Sequence, residues 1–253
     1  MDIATLGGLI VGVSAVVIAF LMEGGHLGMV VQAPAMIIVI FGTLGAGTIT
    51  TSFDTVLKMP TYIRIALAGT RYDPMVTIDE IVKMAERARR EGILGLEAYL
   101  KNIADPFFRN AIQLVIDGTE VTVLRDILET ELQYTTERHK AGILLFRKLG
   151  GFSPTLGIIG TVLGLIHALA STDDASRMAS SIAVAFIATL WGIALANLFY
   201  LPISDKLKMR HDEEMFKLQL MTEGVVAIQS GDNPRIIRTK LLSFMNSKLR
   251  AEE

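Results

Sequence analysis

Charged side chains are confined to two regions of this 253-residue chain, and this constrains its fold more than any other feature. Residues 71–148 and 205–253 carry charge every few positions. Residues 3–53 and 149–204 are almost entirely uncharged, although a soluble protein normally needs charge over most of its surface. The pattern therefore predicts an integral membrane protein. The ionisable side chains of the two apolar regions are Glu23, His26, His167, Asp173, Asp174 and Arg177.

Each apolar region is long enough for two crossings of a bilayer, since one crossing takes roughly 20 mostly apolar residues. The gaps within the regions are short, so consecutive crossings should form hairpins. We therefore predict an all-α integral membrane fold with four transmembrane helices in two hairpins and a helical cytoplasmic domain. The predicted spans are Ile3–Met22, Ala33–Ser52, Leu149–Ala170 and Ser180–Ile203. The predicted domains are a hairpin (1–52), a helical domain (53–148), a second hairpin (149–204) and C-terminal helices (205–253).

Lysine and arginine near the span ends indicate the orientation, because cytoplasmic loops carry an excess of both. Only Arg177 lies on the side of the short gaps. This asymmetry places both termini and the middle domain in the cytoplasm. The basic residues on the other side are Lys58, Arg64, Arg71, Arg138, Lys140, Arg147, Lys148, Lys206, Lys208, Arg210 and Lys217.

The charged regions have the signatures of helices. Residues 77–80 (TIDE) match a capping box at a helix start, and Asp105-Pro106 matches an N-cap followed by proline at the first helical position. A periodic stretch from about Thr119 has no breaker before Gly142 and could continue into the third span. Residues 204–230 also have a helical pattern, and Asn233-Pro234 is expected to start a last amphipathic helix.

A few polar and helix-perturbing residues interrupt the third and fourth spans. Pro154 and Pro202 each remove a backbone donor, which can expose carbonyl oxygens to a cavity. Gly160 and Gly164 form a small-xxx-small pair that allows close helix approach. Hydroxyl oxygens suit hard cations, although a lone threonine more often bonds its own helix. The threonines in question are Thr155, Thr161 and Thr189.

No Asp, Glu, Lys or Arg lies in the middle of any predicted span. A carrier of protons or sodium ions generally needs an ionisable group at depth. If this protein conducts ions, another chain must supply that carboxylate. An enzyme is disfavoured because the four histidines are scattered, cysteine is absent, and neither a phosphate-binding loop nor a metal-ligand spacing occurs. No cofactor, fixed metal or nucleic-acid partner is expected, and a structural scaffold stays open.

Residues 148–165 (KLGGFSPTLGIIGTVLGL) resemble the third span of the MotA family, the flagellar motor stators. Residues 183–197 (AVAFIATLWGIALAN) and Leu201-Pro202-Ile203 are similar to the fourth span. The resemblance covers nearly the whole chain. The distant relatives ExbB and TolQ share the proline and glycine pattern but have three spans. An ExbB- or TolQ-like energising channel, acting on outer-membrane partners, is therefore the alternative.

The resemblance implies five such subunits in the lipid of the bacterial inner membrane, around two copies of MotB, whose intramembrane aspartate carries the ion. It implies that Arg89 and Glu97 engage the rotor protein FliG through charge. In the family, a threonine at the position of Thr161 goes with sodium as the coupling ion, which would be held transiently near Thr161 and Thr189, but the choice between sodium and protons stays open. The residues implied to line the ion pathway or face MotB are Pro154, Thr155, Thr161, Phe186, Thr189 and Pro202.

Overall fold

A computed structural model describes residues 3–69, 72–170 and 175–245, and every regular element in these ranges is helical. Asp173, Asp174 and the end of the predicted C-terminal segment lie outside the described residues. The helices, in chain order, are α1 (Ile3–Met22), α2 (Leu27–Val30), α3 (Ala33–Met36), α4 (Gly42–Ile49), α5 (Phe53–Leu57), α6 (Met59–Leu67), α7 (Pro74–Glu91), α8 (Glu97–Leu100), α9 (Pro106–Ile116), α10 (Val121–Ala170), α11 (Ala175–Leu195), α12 (Leu201–Gln229) and α13 (Pro234–Leu242), with π-helical segments Ile37–Phe41 and Ala196–Tyr200 and a 3-10 turn Ile93–Leu96.

Three of the described helices are long and apolar enough to cross a membrane: Ile3–Met22, Val121–Ala170 and Ala175–Gln229. The last of these joins α11 to α12 through a π-helical segment. The second predicted span corresponds to the shorter apolar helix Ala33–Ile49, which is about 25 Å long at 1.5 Å per residue. The all-helical class is confirmed, and the four-span count stays a prediction.

The apolar unit comprises residues 1–70 and 139–210. No residue of α1 is buried in it, so α1 leaves large apolar side chains exposed, as a helix in lipid does. Several polar contacts join its elements; among them, Trp191 Nε1 donates to the Val30 carbonyl at 2.7 Å, and Lys148 Nζ donates to the Thr50 carbonyl at 2.8 Å. Its buried cluster comprises Ala66, Ile143, Leu145, Phe146, Leu149, Tyr200, Ile203 and Leu207.

The charged unit comprises residues 71–138 and 211–253 and has its own core. Ion pairs fasten its helices at the edge of that core. Glu223 on α12 accepts from Arg125 at 2.7 Å and lies 2.6 Å from Lys240 Nζ, while Lys217 pairs with Asp105. The largest fully buried side chains of the unit are Phe108, Ile78, Ile81, Leu96, Ile112, Leu124, Leu128, Leu220 and Ile237.

Two of the predicted helix starts are confirmed. The Asp105 carboxylate accepts from the Phe108 N–H at 3.1 Å at the start of α9. The Asn233 side chain accepts from the Arg235 N–H at 3.0 Å at the start of α13. The periodic stretch after Thr119 also continues unbroken into the third apolar segment as α10.

The predicted capping box at residues 77–80 is wrong. Helix α7 already starts at Pro74, where the Asp73 side chain accepts from the Met75 N–H at 3.0 Å. Thr77 lies inside the helix and is buried. The physical reason is that an aspartate followed by proline satisfies the first turn one turn earlier in the chain.

The two paired carboxylates of the charged unit predict how its stability depends on pH. Burial alone would raise the pKa of Asp105, but the Lys217 ammonium and the Phe108 N–H hold that pKa below its usual range. Hydrogen bonds from Arg125 and Lys240 likewise lower the pKa of Glu223 against the effect of burial. A carboxyl with a lowered folded-state pKa stabilises above its unfolded pKa, about 4, and loses that contribution as pH falls through the folded value.

We expect Asp105→Asn and Glu223→Gln each to lower the free energy of unfolding by about 1–2 kcal/mol at pH 7. The deficit should shrink as pH falls through the lowered folded-state pKa of each carboxyl, below which the native carboxyl is itself protonated. Thermal unfolding of the full chain in detergent, followed by circular dichroism between pH 7 and pH 2, measures this. Asp126→Asn, at an exposed position of α10, is the control. Parallel pH curves for all four proteins would contradict the prediction.

Candidate functional site

Helices α10 and α11 approach each other closely through small residues. A Cβ atom on Gly157 would lie 2.8 Å from the Ala188 carbonyl oxygen, and one on Gly192 would lie 3.0 Å from the Gly157 Cα. Gly160 and Gly164 face Ala188 and Ala185 in the same way. The predicted small-xxx-small contact is therefore confirmed, and it extends by a further turn to Gly157.

The close approach brings Thr161 and Thr189 together, although they are 28 positions apart. Their hydroxyls are hydrogen-bonded to each other, and both are half-buried. The Thr161 hydroxyl also lies 3.1 Å from the Gly157 carbonyl oxygen and 3.0 Å from that of Ala185. Four oxygen atoms thus gather at one point between the helices. Neutral oxygens of this kind are the ligands that hard cations take.

Ser153 is part of the same helix contact and was missed from the sequence. Its side chain is fully buried, and its hydroxyl donates to the Gly192 carbonyl at 3.0 Å. This bond crosses from α10 to α11 about two turns before Thr161 and about one turn after Thr189. The available signal was a serine directly before Pro154 in a glycine-rich span, which marks a hydroxyl able to satisfy a neighbouring helix.

The two prolines occupy different settings. Pro154 lies inside α10 and is half-buried, so the regular hydrogen-bond ladder of that helix lacks one donor there. Pro202 is exposed and directly follows the π-helical segment Ala196–Tyr200, a kind of irregularity frequent at functional sites. The neighbouring Leu201 side chain packs over Gly150, about one helical turn before Pro154.

The remaining predicted pathway residues lie on exposed surface. Phe186 is 61% exposed on α11, and Thr155 is exposed on α10. The Thr155 hydroxyl donates to the Phe152 carbonyl of its own helix at 2.7 Å, so it does not join the threonine pair. Of the six predicted residues, only Thr161 and Thr189 are hydrogen-bonded to each other.

Arg89 and Glu97 belong to the charged unit and flank one turn. Arg89 is in the last turn of α7, and Glu97 is the first residue of α8. Both are exposed, which is the setting expected of side chains that contact a partner. The intervening turn starts at Gly92 and contains the 3-10 segment Ile93–Leu96.

The described residues hold no cluster of three or more His, Cys, Asp or Glu side chains able to bind a metal ion. The threonine pair is therefore a set of neutral ligands without a carboxylate of this chain beside it. Such a set can share in coordinating a monovalent cation that passes through, while a negative charge comes from elsewhere.

Comparison with known proteins gives full-length matches. Residues 99–220 match the MotA/TolQ/ExbB proton channel family, and residues 6–92 match the motility protein A N-terminal family. The chain is 36% identical over 252 residues to motility protein A of Borreliella burgdorferi, covering 100% of this chain and 97% of that one. It is also 36% identical over 261 residues to chemotaxis protein PomA of Vibrio alginolyticus, covering 100% and 99%.

Solved structures of MotAB complexes contain chains with the same fold as this one. The flagellar MotAB stator complex from Bacillus subtilis contains a chain that superposes with a TM-score of 0.91 at 32% identity, covering 98% of this chain and 97% of that chain. The C. jejuni MotAB structure gives the same TM-score at 28% identity, with the same coverage.

The helix contact predicts the effect of adding one methyl group. We expect Gly157→Ala to force α10 and α11 apart and to destabilise the protein by about 1–3 kcal/mol. Gly151→Ala, also within α10, is the matched control because a Cβ there meets nothing within 4 Å. Thermal unfolding in detergent can be followed by the fluorescence of Trp191, the sole tryptophan of the chain. Equal unfolding midpoints for the two variants would refute the role given to Gly157.

Proposed function

The chain belongs to the motility protein A family of ion-coupled stator subunits, and from this premise we propose how it couples ion flow to rotation. It acts in the flagellar motor, where a flow of protons or sodium ions drives torque on the rotor. The observation that carries the proposal is the lack of any Asp, Glu, Lys or Arg in the middle of the apolar spans. The moving charge must therefore bind a carboxylate of a second subunit.

In the proposed topology the chain crosses the bacterial inner membrane four times as two hairpins, with both termini and the charged unit in the cytoplasm. The asymmetry of lysine and arginine supports this orientation. Helix Ala33–Ile49 serves as the second span, because its length of about 25 Å still falls within the range of a membrane span, at the short end. The residues beyond Ile49 then lie in the headgroup region, where Lys148 binds the Thr50 carbonyl.

The proposed partner is a MotB-like subunit that brings an intramembrane aspartate, with two copies inside a ring of five copies of this chain. The exposed positions of Phe186, Thr155 and Pro202 support their assignment to the surface that faces the partner. Pro154 and the Thr161–Thr189 pair would contact the ion or the aspartate from the adjoining helix contact. The full-length match to motility proteins favours the motor over an ExbB- or TolQ-like use.

In the proposed mechanism an arriving cation neutralises the partner's aspartate. The neutral carboxyl fits differently among the prolines and small residues of α10 and α11, so the ring steps to its next position around the partner. Oxygens of Thr161 and Thr189 hold the ion on its way to the aspartate. Arg89 and Glu97, exposed on the charged unit, then pass the step to FliG through charge.

Measurements of ion flux test whether the carboxylate needed for conduction comes from the partner chain. We expect vesicles containing this chain alone to show no proton or sodium flux, because the chain lacks an intramembrane carboxylate. Vesicles containing it with its MotB-like partner should conduct, and a partner whose intramembrane aspartate is changed to asparagine should not. A pH-sensitive and a sodium-sensitive dye read out the two ions. Cation permeation through the purified chain alone would overturn the proposal.

The threonine pair predicts an effect of sodium concentration. We expect Thr161→Val, which keeps the side-chain shape without the hydroxyl, to raise the sodium concentration for half-maximal swimming speed at least tenfold, since one ligand oxygen is lost. Thr161→Ser keeps the hydroxyl and should respond like the unaltered chain. Swimming speed of a deletion strain rescued by each variant, at constant pH, measures this. An unchanged sodium response of the valine variant would refute ion coordination by Thr161.

A further inference from the structure

We propose that the Leu94 side chain is the apolar anchor of the rotor contact, seated in an apolar hollow of the rotor protein. The proposal rests on the proposed rotor contact at Arg89 and Glu97 and adds the residue that holds it. Leu94 is 68% exposed, although it lies in an ordered turn with two other apolar side chains. Those two point the other way: Leu96 is fully buried, and Ile93 packs against the core of the charged unit.

Two glycines allow the shape of this turn. Gly92 has φ 78° and ψ 171°, a backbone conformation that only glycine adopts readily. A Cβ atom on Gly95 would lie 2.9 Å from the Glu91 Cβ. The turn is held by the hydrogen bond from the Gly95 N–H to the Gly92 carbonyl at 3.0 Å and by the burial of Leu96. Leu94 lies between the residues that make these contacts.

Arg87 braces the turn from both sides. Its guanidinium donates to the Glu91 carboxylate at 2.8 Å on the same helix. It also lies 5.4 Å from the ring centre of Tyr99 on α8, within the range of a cation–π contact. The helix carrying Arg89 and the helix carrying Glu97 are thus connected two residues from each of those side chains. A rigid, preorganised anchor loses little conformational entropy on binding.

Leu94 lies in a stretch of exposed charged residues, as an apolar centre lies within the polar rim of an interface. Arg89, Arg90 and Glu97 flank it in the sequence and are all exposed. In protein interfaces a few anchoring side chains carry most of the binding energy, surrounded by polar residues that exclude water. The rotor surface that fits is therefore an apolar hollow with an acidic group opposite the arginines and a basic group opposite Glu97.

A rotor contact explains this surface better than a contact with a second copy of the chain. Interfaces between permanently associated subunits are apolar over a broad area. Leu94 is a single large apolar side chain flanked by charges of both signs, which suits a contact that forms and breaks in every step. Charge then steers the encounter, and the leucine sets how long it lasts.

The test uses this chain assembled with its MotB-like partner in nanodiscs and the purified rotor protein as the ligand. We expect Leu94→Ala to weaken rotor binding at least tenfold and Leu94→Asp to abolish it. Ile236→Ala and Ile236→Asp are the matched controls, because Ile236 is 62% exposed on α13 of the same unit. These controls should bind normally. Ion flux in vesicles should be unchanged in all four variants, which separates lost anchoring from a damaged complex.

Three results would overturn the proposal, and they are distinguishable. Normal rotor binding by Leu94→Asp would remove Leu94 from the interface and leave the contact at Arg89 and Glu97 standing. Absence of binding by the unaltered complex would overturn the rotor contact itself, and the anchor with it. Dissociation of the ring by Leu94→Asp, seen as a smaller species in size-exclusion chromatography, would show that the leucine contacts another copy of this chain.

Discussion

The apolar unit depends on the contact between α10 and α11, where two backbones touch at Gly157 and Gly192. Lipid tails are as apolar as leucine side chains, so helices in a bilayer associate through close packing and hydrogen bonds. The glycines supply the close packing, because no Cβ keeps the backbones apart. The hydrogen bonds depend on this close packing. Only at this separation does the Ser153 hydroxyl reach the Gly192 carbonyl, and only there do the Thr161 and Thr189 hydroxyls meet.

This contact also sets the limits of the ion chemistry. Hydroxyl and carbonyl oxygens can replace part of the hydration shell of a cation, but without a formal negative charge they hold it weakly. Weak binding suits conduction, which requires that an ion both enter and leave. A carboxylate at membrane depth is expensive and binds the ion more strongly. In the proposed arrangement the neutral oxygens belong to this chain and the carboxylate to its partner, so the complete site depends on how the two chains are positioned.

Much of the fold was predictable because its causes are local or come from the bilayer. The hydrocarbon thickness fixes the length of an apolar helix, and the caps at Asp105 and Asn233 depend only on adjacent residues. The start of α7 was mispredicted because Asp73-Pro74, a cap followed by proline like those at Asp105 and Asn233, outweighs the later signal at Thr77. In the site, Thr161 and Thr189 could be named from their type and depth. Their pairing depends on the antiparallel register of two helices, as does the bond of Ser153.

The exposure of Leu94 was beyond sequence reasoning for a similar reason. Ile93, Leu94 and Leu96 are equally apolar in the sequence, and any of them could have packed on the core. Which one faces outward is decided by the backbone at Gly92 and by the packing of Leu96. The surface position of the charged residues in the same stretch could be predicted, because arginine and glutamate side chains are expected at a surface whatever the tertiary structure.

The two units differ in where their helices are irregular, and this bears on which part moves. Both π-helical segments, Ile37–Phe41 and Ala196–Tyr200, belong to the apolar unit, as do Pro154 and Pro202. Each of these weakens the regular hydrogen-bond ladder, so the helix can bend there at lower cost. The turn that carries Leu94 is instead held by the buried Leu96 and by the contacts of Arg87 with Glu91 and Tyr99. In the proposed mechanism, a step that starts with ion binding needs helices that can bend. The surface that pushes on the rotor needs a stiff turn, because a turn that yields would absorb the displacement.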